Sequence, residues 1–320
     1  MSLAHRILEG DLRAAARLMR DLDDGFRSAA AEMKLLFPHA GRAFILGITG
    51  PPGAGKSTLV DQLTAAYRQR GKRVGVVAID PTSPFTGGAI LGDRIRMNRH
   101  AEDPGVFIRS LATRGHMGGL SRSTGDVVNV MDAMGMDVVI IETVGVGQDE
   151  IDIVRMAHTT VVVSVPGLGD DIQAIKAGVL EIGDLFVVNK ADRDGADRTA
   201  RELAAMLEMK QTKPGDWQPK VLMTEASRNR GIEEMVDEVE CHRRYLVESG
   251  ALEKICEERS VRHFTELLKE RLFAEVYGHI RVNGRFREIV EEMTSRRIDP
   301  YSAVEQIIAE RFAGEAASGH

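Results

Sequence analysis

Apolar positions divide the chain into three stretches with different periods. In the first 41 residues, Leu3, Ile7, Leu8, Leu12, Ala15 and Leu18 recur at helical spacing with Arg and Asp between them. A second helical piece, Phe26 to Phe37, stops at Pro38. This predicts a helical extension packed on the rest of the chain. From Ala43 to about Thr224 the rhythm changes to strand and helix. The expected strands are Phe44–Ile48, Val74–Ile79, Val106–Ile108, Val138–Ile141, Val161–Val165, Leu185–Val188 and Val221–Met223. Most are near-continuous Val/Ile runs, as required of strands covered on both faces. The expected helices between them are Ser57–Arg70, Leu120–Met134, Asp171–Leu180 and Asp197–Glu208. The alternation predicts an α/β fold with a doubly wound, mostly parallel sheet. After Gly231 the pattern is helical: Ile232, Met235, Val236 and Val239 open one helix, and Leu252–Ile280 and Phe286–Phe312 continue. The expected organisation is a helical N-terminal extension (1–42), a nucleotide-binding α/β domain (43–231) and a helical C-terminal arm (232–320).

Composition narrows the class. The 320 residues are 43% hydrophobic, enough for one large core and an appendage. The net charge of −6 comes without a basic stripe, which argues against nucleic-acid binding. Two cysteines, Cys241 and Cys256, make no disulfide framework and fit a reducing compartment. Arg6, Glu9, Asp11 and Arg13 interrupt any apolar signal-peptide core. No apolar run approaches the roughly 18 residues of a membrane span. A soluble, cytoplasmic protein with no membrane partner is expected.

The chemistry centres on Gly50-Pro51-Pro52-Gly53-Ala54-Gly55-Lys56-Ser57-Thr58, between the first strand and an amphipathic helix. The spacing G-x-x-x-x-G-K-S is that of a phosphate-binding loop. Glycines let the backbone N–H groups turn inward onto phosphate oxygens, and the helix N-terminus adds its dipole. Lys56 supplies a point charge for the outer phosphates, and the Ser57 hydroxyl is placed to ligate Mg²⁺. Asp80 and Glu142 end two apolar strands, and Asp93 follows in the loop after the first of these. With Ser57 these acids are expected to hold Mg²⁺ or its waters. Asp93 reads equally well as a helix cap or surface acid.

Glu142-Thr143-Val144-Gly145 has the shape of a D-x-x-G switch with Glu in place of Asp. Gly145 is expected to donate its N–H to the γ-phosphate. Gln148 is a candidate for orienting a hydrolytic water, although it sits three residues after Gly145. Asn189-Lys190-Ala191-Asp192, at a strand end, is the guanine-reading N-K-x-D pattern. A carboxylate there accepts both N1–H and the exocyclic amine of guanine, and adenine has no such edge. Thr224-Glu225-Ala226 follows the next strand, where a backbone N–H could meet guanine O6. Gly167 to Gly178, with Asp170, Asp171, Gln173 and Lys176, is expected to be a mobile loop near the nucleotide, an acid of which could also cap the next helix.

Taken together, these runs closely resemble the MeaB/ArgK-type (MMAA-like) G-protein chaperones of adenosylcobalamin-dependent acyl-CoA mutases. The resemblance rests on Gly47–Thr58, Val77–Asp93, Arg109–Gly115, Ile141–Gln148 and Asn189–Asp192. It implies a P-loop G domain and a GTPase that binds a methylmalonyl-CoA mutase-type partner. Lys56, Glu142 and Gln148 are the catalytic candidates, and with no arginine finger placed by the sequence, turnover is expected to be slow alone and stimulated by that partner. The resemblance also implies Mg²⁺ on Asp80, Asp93 and Glu142, and a further switch at Gly167–Gly178. GTP and GDP would be the ligands and the C-terminal helices a homodimer contact. The implied task is to gate cobalamin loading by the adenosyltransferase and to protect or reactivate the mutase. An ATP-dependent small-molecule kinase or transport ATPase is the alternative. A nickel-type metal-insertion GTPase would carry a His/Cys cluster, which the sequence lacks.

Overall fold

The computed structural model describes residues 2–80, 97–112, 122–143, 153, 155–167, 180–209, 213 and 215–317. Seven parallel strands form one sheet: β1 Phe44–Thr49, β2 Val74–Asp80, β3 Val106–Ala112, β4 Val138–Glu142, β5 Thr159–Ser164, β6 Leu185–Asn189 and β7 Lys220–Thr224, in the order β3-β2-β4-β1-β5-β6-β7. Each predicted strand is present. β1, β2, β4, β5 and β6 are buried at every position, and only the edge strands β3 and β7 carry partly exposed residues. β3 runs on through Arg109 and Ser110, whose polarity hid its second half.

The longer helices among the described residues are α1 Leu3–Leu8, α2 Leu12–Asp23, α3 Arg27–Leu36, α4 Lys56–Gln69, α5 Arg122–Ala133, α6 Ala196–Glu208, α7 Ile232–Glu248, α8 Ala251–Val282, α9 Arg285–Thr294 and α10 Pro300–Ala317. The expected helix Asp171–Leu180 lies outside the described residues except for Leu180, which opens a single short turn, Leu180–Ile182.

Two breaks depart from the apolar periodicity, and both have local causes. Gly10 adopts a left-handed φ of 92° and Asp11 caps the N–H groups of Arg13 and Ala14, so one predicted N-terminal helix is two. Asp299 caps Tyr301 and Ser302, and Pro300 starts α10, so the predicted helix Phe286–Phe312 is also two.

The chain separates into two compact units, Met1–Arg259 and Ser260–His320. In the first, each sheet face has its own core. Leu46, Ile48, Val76, Val138 and Ile140 pack with Leu59, Val60, Leu63 and Tyr67 of α4 and with Met235, Val236 and Val239 of α7. On the opposite face Ile45, Val77, Val139 and Ile141 pack with Val127, Val130 and Met131 of α5 and with Ile7, Leu18, Met19 and Leu36 of the N-terminal helices. The N-terminal extension therefore completes a sheet face. The Asp132 carboxylate of α5 fixes its junction with β1, accepting the N–H groups of Gly41 (2.6 Å), Arg42 (3.1 Å) and Ala43 (3.0 Å). In the second unit, Tyr277 meets Phe286 edge-on at 5.3 Å, and Arg285 of α9 pairs with Glu310 of α10 at 3.1 Å.

Candidate functional site

The carboxyl end of β1 is the centre of the site. β1 lies between β4 and β5, where consecutive connections leave for opposite sides of the sheet, and such a switch point opens a crevice at the strand ends. The phosphate loop fills it. Gly50, Gly53 and Gly55 have φ of 139°, 78° and 86°. Gly50 runs so close to β5 that a Cβ would collide with the Val163 carbonyl, and one at Gly55 would lie 2.6 Å from the Asn189 amide nitrogen. Gly55 is the N-cap of α4, and no side chain caps the helix there. The first N–H groups of α4 thus face the loop, the arrangement that takes up phosphate oxygens. Lys56 is buried, and its ammonium crosses the loop to donate to the Gly50 carbonyl (2.7 Å) and the Pro51 carbonyl (3.1 Å). Pro52, Gly53 and Thr58 form the loop's exposed rim.

Ser57 begins the metal side. Its hydroxyl donates to Glu142 Oε1 over 2.6 Å, in the buried end of the crevice. Ala78 of β2 is opposite Glu142 of β4, so Asp80, two residues on, extends past the strand end on the same face. Asp80 and Glu142 are 4% and 5% exposed, two buried carboxylates at the ends of neighbouring strands. A hydroxyl with two carboxylates is a hard, all-oxygen donor set, which suits Mg²⁺ with retained waters. Asp93, Gly145 and Gln148 lie outside the described residues, as do Asp170, Asp171, Gln173 and Lys176; Gly167 sits in a turn after β5 with φ of 93°.

The candidate base-reading side is assembled by Asn189. Its amide nitrogen donates to the Ala54 carbonyl (2.8 Å), and its oxygen accepts from the Thr224 hydroxyl (3.1 Å) and the Ala226 N–H (3.2 Å). One buried side chain ties the phosphate loop to the end of β7. Of the segment Thr224-Glu225-Ala226, where a backbone N–H was expected to meet guanine O6, the Ala226 N–H is engaged by Asn189. The Glu225 carboxylate turns to Arg228 (3.1 Å) and Arg230 (3.3 Å). Lys190 has a left-handed φ of 58° and sends its ammonium back to the Gly53 carbonyl at 2.7 Å. A non-glycine residue held in that region is strained, a feature that concentrates at ligand sites. Asp192 is exposed beside it.

Two groups were not visible as site residues in the sequence. Thr49 and Thr143 hydrogen-bond through their hydroxyls at 3.1 Å, both buried. One turn beyond Ser57, the Asp61 carboxylate pairs with Arg99 at 2.9 Å, and His100 Nε2 lies 3.1 Å from the Asp61 backbone carbonyl, both from the segment that follows residues 81–96. Both are contacts between distant segments, which apolar periodicity does not report.

A family profile described as "Methylmalonyl Co-A mutase-associated GTPase MeaB" matches residues 19–280. The chain belongs to this family. It is 49% identical over 314 residues to a Pyrococcus abyssi protein provisionally named a GTPase, covering 98% of this chain and 97% of that one. It is 35% identical to "GTPase ArgK" of Escherichia coli over 94% of this chain and 93% of the relative. Among solved structures, "Crystal structure of LAO/AO transport system kinase" superposes with a TM-score of 0.70 at 26% identity, covering 98% of this chain and 96% of that one. The MeaB membership and the named GTPases fix the broad activity class as a guanine-nucleotide-binding GTPase with a P-loop fold. No helix among the described residues is long and apolar enough to cross a membrane.

Proposed function

We propose that the protein binds GTP with Mg²⁺, hydrolyses it slowly, and uses the change of nucleotide state to serve an adenosylcobalamin-dependent acyl-CoA mutase. The observation that carries the nucleotide part is the Ser57–Glu142 hydrogen bond beside the N-terminus of α4, with Asp80 ending the neighbouring strand on the same face. Lys56 balances charge on the outer phosphates, and Asp192 accepts the two guanine donors. Ser57 and the carboxylates of Asp80 and Glu142 would hold Mg²⁺, with Asp93 as a further oxygen donor, and the ion would supply charge neutralisation at the phosphoryl group. Gln148 orients the attacking water, and Gly145 ties its loop to the γ-phosphate.

The partner follows from the family description, which names a methylmalonyl-CoA mutase, and from a 32% identical mouse relative named "Methylmalonic aciduria type A homolog, mitochondrial", matched over 83% of this chain and 65% of that protein. The protein gates cobalamin delivery by the adenosyltransferase to that mutase in the cytoplasm. It acts as a homodimer. Val261, Phe264, Leu268 and Leu272 recur at helical spacing along α8, all at least 45% exposed, a stripe suited to a second copy.

The kinase or transport ATPase reading is favoured by the superposed solved structure, which is named a transport system kinase. Asp192 separates the two. Adenine would leave this carboxylate without a donor, so Asp192→Asn is expected to reduce the GTP-to-ATP affinity ratio by about tenfold or more. An unchanged ratio contradicts the guanine assignment.

A further inference from the structure

The tips of β1 and β4 are joined by more than the sheet ladder. Ile48 is opposite Glu142, and one residue on, the Thr143 N–H donates to the Ile48 carbonyl at 3.1 Å. At the same level the Thr143 hydroxyl donates to the Thr49 hydroxyl, also at 3.1 Å. Thr49 is the residue before Gly50, and Thr143 the residue after Glu142. The pair is therefore a direct bridge between the entrance of the phosphate loop and the carboxylate that receives Ser57.

Its surroundings make the polarity notable. By strand alternation Thr49 and Thr143 face the side of the sheet that carries Ile45, Val139 and Ile141, all fully buried, and not the α4 side occupied by Glu142. Thr49 and Thr143 are 0% and 1% exposed. Valine has the same shape and would bury there without needing a partner. A buried hydroxyl pair adds little stability over two apolar side chains, but it is costly to separate. It is satisfied in one alignment of the two strand tips and penalises every other.

We infer that Thr143, acting through Thr49, is a positioning residue for the metal-holding carboxylate: the hydroxyl pair locks the β4 tip to the phosphate loop so that Glu142 stays within reach of Ser57 and Mg²⁺. The inference rests on the GTP and Mg²⁺ reading of the site. The pair lies on the sheet face opposite Glu142, so its effect belongs in metal-dependent affinity rather than in nucleotide binding as such.

The test compares wild type with Thr143→Val, Thr143→Ser, Thr49→Val and the double valine variant. Binding of a fluorescent, non-hydrolysable GTP analogue is measured with Mg²⁺ and with EDTA, alongside thermal unfolding of the nucleotide-free proteins. Thr143→Val should lose about five- to tenfold of the Mg²⁺-dependent gain in affinity, with affinity in EDTA within about twofold of wild type. Thr143→Ser, which keeps the hydroxyl, should retain the gain. The double variant has no bare hydroxyl, so its unfolding temperature should return towards wild type while the Mg²⁺ gain stays low. A Thr143→Val protein with the full Mg²⁺ gain overturns the inference. So does a double variant that recovers the gain together with stability, because the pair would then be structural only. Wild-type protein that shows no Mg²⁺-dependent gain refutes the underlying GTP reading, an outcome distinct from both.

Discussion

The Ser57 hydroxyl and the Glu142 carboxylate, 85 residues apart in sequence, meet at 2.6 Å where α4 begins and β4 ends. The contact joins the phosphate loop to a strand-end acid, which on the proposed reading links phosphate binding to Mg²⁺ binding. Ser57→Ala and Glu142→Gln should each weaken Mg²⁺-dependent nucleotide binding by about 10- to 100-fold, the usual range for loss of a metal-site partner. Circular dichroism should stay unchanged. Wild-type Mg²⁺ dependence in either variant would contradict the metal assignment.

Gly53 and Gly55 provide an internal comparison. Both have positive φ, so alanine at either costs about 1–2 kcal/mol of backbone strain. A Cβ at Gly53 meets nothing within 4 Å, whereas one at Gly55 would press on the Asn189 amide at 2.6 Å. Gly55→Ala should therefore lower the unfolding temperature clearly more than Gly53→Ala. Equal effects would mean that Asn189 is not fixed against the loop.

Asp132 should matter for stability and not for nucleotide. Its carboxylate satisfies three backbone N–H groups between the N-terminal helices and β1. Asp132→Ala should cost about 3 kcal/mol in denaturant unfolding, the scale for charge-assisted hydrogen bonds left unmade. GTP affinity of the folded protein should remain within about twofold. A loss below about 1 kcal/mol would remove the clamp from the account.

Stability should fall on mild acidification. Burial, with the Arg259 and Arg243 charges, lowers His158 to about 3, and burial lowers His242 to about 4. His158 accepts the Ile45 N–H at Nδ1, and Arg259 lies 3.4 Å from its Nε2, so protonation there is opposed twice. His242 Nε2 has the Asp184 carboxylate at 3.7 Å, but that carboxylate already takes the Thr160 N–H, and burial prevails. Both rings are neutral when folded and bind protons near 6.5 when unfolded. Their stabilisation is complete above pH about 6.5 and is lost as pH falls towards the folded values. The two together should contribute a loss of about 4 kcal/mol between pH about 7.5 and about 5. Trp217, the chain's one tryptophan, lies 4.6 Å from the His242 ring and reports the unfolding by fluorescence. A flat profile over that interval would contradict the neutral, buried state of these histidines.

Much of this architecture was legible in the residues. Continuous apolar runs located the five inner strands because a strand covered on both faces has no polar side to interrupt it. The pattern blurred at the edges: Arg109 and Ser110 concealed the end of β3, and Lys220 sits at the exposed start of β7. Gly10-Asp11 and Asp299-Pro300 split helices through capping chemistry that apolar periodicity does not weigh. At the site, the spacing around Lys56 and Ser57 was specific because a phosphate loop needs glycine and lysine at fixed positions. Asn189 stood out by its motif, but its bonds to Ala54 and Ala226 had no sequence signal, since they depend on three segments meeting in space. The Thr49–Thr143 pair had no sequence signature, because two threonines at strand ends are ordinary until the strands are placed side by side.

The most direct test of the central claim is steady-state turnover of GTP and of ATP by the purified protein, with and without a methylmalonyl-CoA mutase-type enzyme. The account predicts slow hydrolysis of GTP, little of ATP, and acceleration of GTP hydrolysis by the mutase. Turnover of ATP in preference to GTP, unaffected by the mutase, would contradict both the guanine assignment at Asp192 and the proposed partner.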